Sequence, residues 1–161
     1  MPMHPNEELI DKFYSAFQKK DFKTMGECYA DTVEFNDPVF KGLKGNAARA
    51  MWQMLIERGA ELKLTYSNIK ANDTEGSADW VAVYPFSKTG KIVTNRIHAK
   101  FQFKDGKIVN HKDQFSLWKW AGMALGTTGY LMGFMPFIQN QIRNEANTGL
   151  TMFMKRKKIT A

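Results

Sequence analysis

Apolar residues recur at two spacings along this chain, and the change of period marks where helices give way to strands. Ile10, Phe13 and Phe17, with Tyr14 beside them, fall on one stripe of a helix over residues 6–19. Asn6 is placed to cap it, and Glu7, Glu8 and Asp11 suit the positive end of the helix dipole. Asp21 caps a second, short helix whose Phe22, Met25 and Tyr29 face inward. Thr32 to Asn36 alternates as a short strand. Asp37-Pro38 ends it, because proline has no amide hydrogen for a neighbouring strand and restricts the residue before it. Gly42 and Gly45 interrupt the chain ahead of a third helix over 46–58, which carries Trp52.

From residue 62 the period becomes two. Leu62, Leu64 and Tyr66 alternate with polar residues, as do Trp80, Ala82, Tyr84 and Phe86. Asn95, Ile97, Ala99, Phe101 and Phe103 form one face of a long strand, which leaves His98 and Arg96 on the other. Lys104-Asp105-Gly106-Lys107 is a tight hairpin signal, and Ile108 to Phe115 is the returning strand. Helices followed by strands joined as hairpins predict an α+β fold, a curved antiparallel sheet packed against N-terminal helices.

Residues 116–161 follow neither rule. From Trp120 to Ile142 there are 23 residues without a charge, a length that would span a bilayer. Four glycines, two threonines, Pro136 and three amides interrupt that stretch. It therefore predicts a pair of short helices, broken near Thr127-Thr128-Gly129, that cover the sheet or an oligomer contact. A lid or interfacial anchor is the other reading. Trp118, Trp120, Phe134 and Phe137 would then sit at the boundary, with Lys155-Arg156-Lys157-Lys158 against acidic lipid.

At 161 residues the chain is one domain, with 116–161 as its helical C-terminal extension. Apolar residues at 43% and charged residues at 24% exclude disorder. The single cysteine, Cys28, excludes an intramolecular disulfide framework, and His4, His98 and His111 are too scattered to form a metal motif. The net charge of +7 comes without an aromatic stacking motif, so it speaks for solubility rather than nucleic acid. The polar stretch Met1 to Glu8 has no apolar signal region, which predicts a cytoplasmic protein. Neither a glycine-rich phosphate loop nor a nucleophile elbow is visible, and no cofactor is expected.

Three stretches carry a family resemblance: Asp21 to Pro38, Gly42 to Leu55, and Ala99 to Leu117. The order helix, helix, strand with Asp-Pro, helix, then long strands ending in Gly-Lys-Ile-x-x-His-x-Asp resembles the nuclear-transport-factor-2-like superfamily, which includes SnoaL-like cyclases and ketosteroid isomerase. The resemblance covers roughly residues 6–117. It implies a cone-shaped roll with a blind apolar pocket, polar groups at its base, and pairing of two copies through the outer face of the sheet.

Asp113 falls where SnoaL-like cyclases and limonene epoxide hydrolase place a pocket carboxylate. Read from the residues alone, it ends an aromatic-flanked strand where an unpaired buried charge would be costly. His111, two residues earlier, shares its face and can steady the carboxylate or shuttle its proton. The same two residues also read as a polar brace for the C-terminal helix. Asp37 matches the isomerase's proton-shuttling base through Val-Glu-Phe-Asn-Asp-Pro-Val, which is two residues longer than the family pattern; Asp before Pro is equally an ordinary turn device. Asn36 is a weaker neighbour.

The isomerase's oxyanion-donating tyrosine aligns with Phe13, and its protonated acid aligns with Ala99 or with His98. The epoxide hydrolase's Arg and Asp align with Trp80 and Ala82, so epoxide opening is the less supported chemistry. Trp80, Tyr84, Asn95, Ile97, Phe101 and Phe13 are the expected pocket lining. The resemblance thus implies a cofactor-free isomerase or cyclase acting on a small apolar, cyclic carbonyl compound. Asp113, helped by His111, would move the proton, and Asp37 would be a second acid–base group. The alternative is a non-catalytic module that holds a hydrophobic ligand or acts as a scaffold, with residues 116–161 as lid, dimer contact or membrane attachment.

Overall fold

The computed structural model describes residues 2–161; Met1, the first residue of the polar N-terminal stretch, lies outside them. The first apolar stripe forms α1 (Pro5–Gln18), which buries Ile10, Phe13, Tyr14 and Phe17. Its cap is His4 and not Asn6: the imidazole accepts from the Asn6 amide while the Glu7 carboxylate accepts from the His4 amide, so a capping box closes the first turn. Asn6, displaced into that turn, ties the helix to the sheet through the Asn72 and Asp73 carbonyls. Asp21 caps α2 (Phe22–Cys28) through the Thr24 amide. The next strand, β1 (Tyr29–Asn36), starts three residues before the alternation of Thr32–Asn36 suggests, so Tyr29 belongs to the sheet and not to the helix.

β2 (Leu43–Lys44) and α3 (Asn46–Arg58) follow, then β3 (Lys63–Ala71), β4 (Glu75–Pro85), β5 (Ile92–Lys104) and β6 (Lys107–Gln114). The six strands form one sheet in the order β2-β1-β6-β5-β4-β3. Three of its junctions are antiparallel hairpin pairs, but β1 runs parallel to β6, a pairing that the expected antiparallel sheet did not contain. These two strands are far apart in sequence, and no hairpin signal announces such a pairing. The parallel register sets Phe35 opposite His111 and Asn36 opposite Lys112. At the β5–β6 turn, Asp105 and Gly106 both have positive φ (52° and 76°), the requirement of a two-residue type I′ hairpin.

The concave face of the sheet meets α1 and α3 over a core rich in rings: Phe13, Tyr14, Phe17, Phe35, Trp52, Trp80 and Phe101. The C-terminal segment forms three helices where the sequence suggested a pair of short ones: α4 (Leu117–Leu125), α5 (Thr127–Met132) and the long α6 (Pro136–Lys157). Its polar Asn, Gln and Thr positions concealed α6, because their spacing gives little amphipathic contrast. Leu150 and Phe153 of α6 enter the same core as the sheet. Among the described residues no helix is long and apolar enough to cross a membrane.

α4 and α5 cross closely at Gly129, where a Cβ would fall inside the shell of the Ala121 carbonyl. Gly129→Ala is expected to lower stability by about 1–3 kcal/mol through overpacking, read as a lower urea midpoint. An unchanged midpoint would mean that the two helices do not pack this way.

Candidate active site

Two residues of β6 bring a carboxylate and an imidazole into the aromatic interior. Ile108, His111 and Asp113 are all buried, a spacing of three and then two. The register of β6 against β5 shifts between Gln102 and Phe103; this irregularity precedes His111 and lets it share the inner face with both neighbours. Asp113 is 2% exposed and His111 0%. His111 Nε2 lies 2.9 Å from Asp113 Oδ1, and Nδ1 lies 2.7 Å from the Tyr29 hydroxyl.

The hydrogen bonds decide the tautomer. Trp52 Nε1 donates to the Tyr29 oxygen at 2.8 Å, which leaves the Tyr29 proton available to His111 Nδ1. Burial raises the Tyr29 pKa well above its ordinary value, which keeps that proton in place. Nδ1 is therefore an acceptor, and Nε2 carries the hydrogen that is donated to Asp113. Trp80 Nε1 makes a longer donation of 3.4 Å to the same Oδ1. Both contacts fall on Oδ1. The Tyr14 hydroxyl is the one fully sealed side-chain polar atom without a partner among the described residues; Asp113 Oδ2 is also unpartnered and retains a trace of exposure.

The imidazole itself is enclosed. Phe101, Phe35, Phe13, Tyr29 and Trp52 surround its ring at centroid distances of 4.4, 5.0, 5.5, 6.0 and 6.0 Å. The blind chamber expected from the sequence thus does not open at His111, because rings occupy that volume. Phe13 and Phe101 pack on the imidazole, and Trp80 and Ile97 are buried opposite each other on β4 and β5. Asn95 lies one step further along the same face, across from Ala82, and is 7% exposed. Tyr84, half-buried, accepts at 2.7 Å from Trp120 of α4, which ties the extension to this end of the sheet.

Asp37 follows Asn36, whose pairing with Lys112 brings it to the level of Asp113. Its Oδ1 accepts from the Val39 and Phe40 amides at 2.7 and 2.6 Å, the turn that Asp-Pro predicts. Burial is the main cause that pushes its carboxyl up to about 7, and the Asp113 charge adds to it. Asn36 turns away, accepting from the Gly42 amide. His98 faces outward, paired with Asp79 at 2.6 Å. A depression of about 720 Å³ lies on that outer face, lined by Lys70, His98, Lys100 and Lys112, on the opposite side of the sheet from Asp113. Among the described residues no group of three His, Cys, Asp or Glu side chains could hold a metal.

Sequence reasoning did not assign Tyr29, Trp52 and Tyr14 to the site. Tyr29 and Trp52 reach His111 from β1 and α3, contacts that no local spacing encodes. Tyr14 sits on α1 beside Phe13, and its ring stacks on Tyr66 and packs against Trp80. The signal for it was present: a tyrosine on the buried stripe of a helix needs a partner for its hydroxyl.

Residues 10–111 match the SnoaL-like domain. The chain belongs to that family. The match ends at His111, so Asp113 and the three C-terminal helices lie beyond it. No curated protein matches the chain. Among solved structures, IdmH of Streptomyces antibioticus, a proposed polyketide cyclase, superposes with a TM-score of 0.64 at 18% identity, covering 78% of this chain and 100% of its own. An epoxide hydrolase of M. tuberculosis of the limonene type gives 0.61 at 16% identity, covering 80% of this chain and 96% of its own. A proposed polyketide cyclase from Xanthomonas campestris gives 0.61 at 23% identity, covering 72% and 93%. These similarities establish the nuclear-transport-factor-2-like fold of this SnoaL-like protein.

Two outcomes test the site. Tyr29→Phe leaves the Trp52 indole and His111 Nδ1 unpaired and should cost about 1–3 kcal/mol for each orphaned group, whereas Tyr14→Phe removes an unpaired hydroxyl and should be neutral or stabilising. Equal urea midpoints for the two variants would contradict the assigned network. Asp37 has a folded pKa raised above its unfolded value of 3.8, so its contribution is fully present below that value and is lost as pH rises through about 7. Asp37→Asn should therefore gain stability over the native protein between pH 4 and pH 8, by on the order of 4 kcal/mol. A gain that does not vary with pH would contradict the raised pKa.

Proposed function

We propose that this SnoaL-like protein binds a small apolar, cyclic carbonyl compound and moves a proton on the carbon next to the carbonyl, without a cofactor. The observation that carries this reading is the asymmetry of Asp113: Oδ1 is committed to His111 and Trp80, while Oδ2 is not sealed. A carboxylate held this way has one free oxygen in fixed orientation, as a general base requires. The substrate is approached through Asp113, and the enclosed His111 is a positioning residue. Its Nε2 hydrogen stabilises the carboxylate between turnovers.

Proton abstraction also needs a donor for the enolate oxygen. Phe13 occupies the position where the family resemblance expects one. The Tyr14 hydroxyl is the uncommitted buried donor among the described residues; we assign it that role, which requires the ligand to part the rings that seal it. Asp37, with its carboxyl at about 7, is suited to hold or return a proton at neutral pH from the rim. The cyclases among the structural neighbours support this class of substrate, and Trp80 in place of an arginine speaks against epoxide opening.

A second reading rests on the ring packing around His111. If the pair only braces the core, the chain is a non-catalytic hydrophobic-ligand or scaffold module. The test is solvent-deuterium incorporation next to the carbonyl of a panel of cyclic enones and polyketide-like aldehydes, followed by NMR. Native protein should exchange, Asp113→Asn should lose at least ~100-fold, and Tyr14→Phe should lose activity while keeping its stability. Equal exchange by the native, Asp113→Asn and Asp37→Asn proteins would remove the catalytic reading and leave the second.

A further inference from the structure

The net charge of +7 is unevenly placed. Residues 117–161 hold Lys119, Arg143, Lys155, Arg156, Lys157 and Lys158 against Glu145 alone, so most of the excess lies in the C-terminal extension. The same extension presents the largest exposed apolar side chains of the protein. Tyr130 is 61% exposed, Leu131 67%, Phe134 59% and Phe137 55%, with Trp118 and Met132 beside them in sequence or contact.

This cluster is held in shape. The Trp118 indole donates to the Tyr130 carbonyl at 3.0 Å and packs edge-on against Phe134. Gln139 donates to the Gly133 carbonyl at 3.0 Å, fixing the start of α6 to the end of α5. The tip is therefore a preformed wedge of aromatic and aliphatic groups with no charge between Trp120 and Ile142. Cations flank it: Lys119 and Arg143 close the uncharged run at either end, and the Lys91 side chain lies beside Gly126. A second copy of this chain would bring the cations nearest the tip, Lys91, Lys119 and Arg143, against their own counterparts across such a contact. An anionic surface would not.

We propose that the α4–α5–α6 tip is a peripheral membrane-binding wedge that inserts its exposed rings into the headgroup boundary of an anionic phospholipid bilayer, with the cations of the extension supplying the attraction. Aromatic and aliphatic side chains with flanking Lys and Arg suit that interface, and two weak signals together give stable attachment where one would not. Nothing in this depends on what Asp113 does.

The test is flotation of the full chain with vesicles of phosphatidylcholine alone and of phosphatidylcholine with phosphatidylserine. Binding is expected on the mixed vesicles, at least tenfold weaker on the neutral ones, and weakened by 0.5 M salt. The double variant Leu131→Glu, Phe137→Glu should lose binding and keep its urea midpoint, because both side chains are exposed and neither makes a contact that shapes the tip. No binding to the mixed vesicles, or binding that survives the double variant, would overturn the proposal. So would a native dimer that the double variant converts to a monomer, which would show that a second copy covers the tip.

Discussion

A carboxylate among rings is the constraint around which this interior is organised. Asp113 sits where a carboxylate without a hydrogen-bond donor is untenable, and its donor must come from something that is itself buried and satisfied. His111 is that donor, and it can serve only if its other nitrogen is fixed. Tyr29 fixes it, and Trp52 in turn fixes Tyr29. The chain of donations crosses α3, β1 and β6, so the polar line also staples a helix and two strands that are distant in sequence. A half-satisfied version of it would be worse than an apolar core.

The rings have two consequences. They exclude water from His111, which strengthens each hydrogen bond along the line. They also enclose the imidazole, which leaves Asp113 Oδ2, the unpartnered Tyr14 hydroxyl and Asp37 as the polar groups of this face outside the relay. The parallel β1–β6 pair is what allows this, because it sets Phe35 beside His111 and carries Asp37 toward Asp113.

Much of this was legible in the residues, for physical reasons that differ by element. The alternation of Asn95, Ile97, Ala99, Phe101 and Phe103 assigned the inner face of β5 and turned His98 outward, because period two leaves no other option once one face is apolar. His111 and Asp113 shared a face for the same reason. The parallel pairing was not legible, since it depends on contacts between the two ends of the domain. Tyr29 was read as a helix residue, because strand and helix compete at a junction that only tertiary hydrogen bonds decide. The long α6 escaped notice because Gln, Asn and Thr fill much of its length, which leaves it neither clearly amphipathic nor clearly loop. The His4 cap was missed because imidazole is an uncommon cap, whereas Asn6 has the usual chemistry two residues too late.

The relay that steadies Asp113 makes a direct statement about one hydrogen atom. Long-range 1H–15N NMR on protein labelled at histidine reads which ring nitrogen of His111 carries it at pH 7. The account predicts hydrogen on Nε2 and a bare Nδ1. Hydrogen on Nδ1 would contradict it, since Tyr29 and Asp113 would then have exchanged their roles and the carboxylate would stand without its donor.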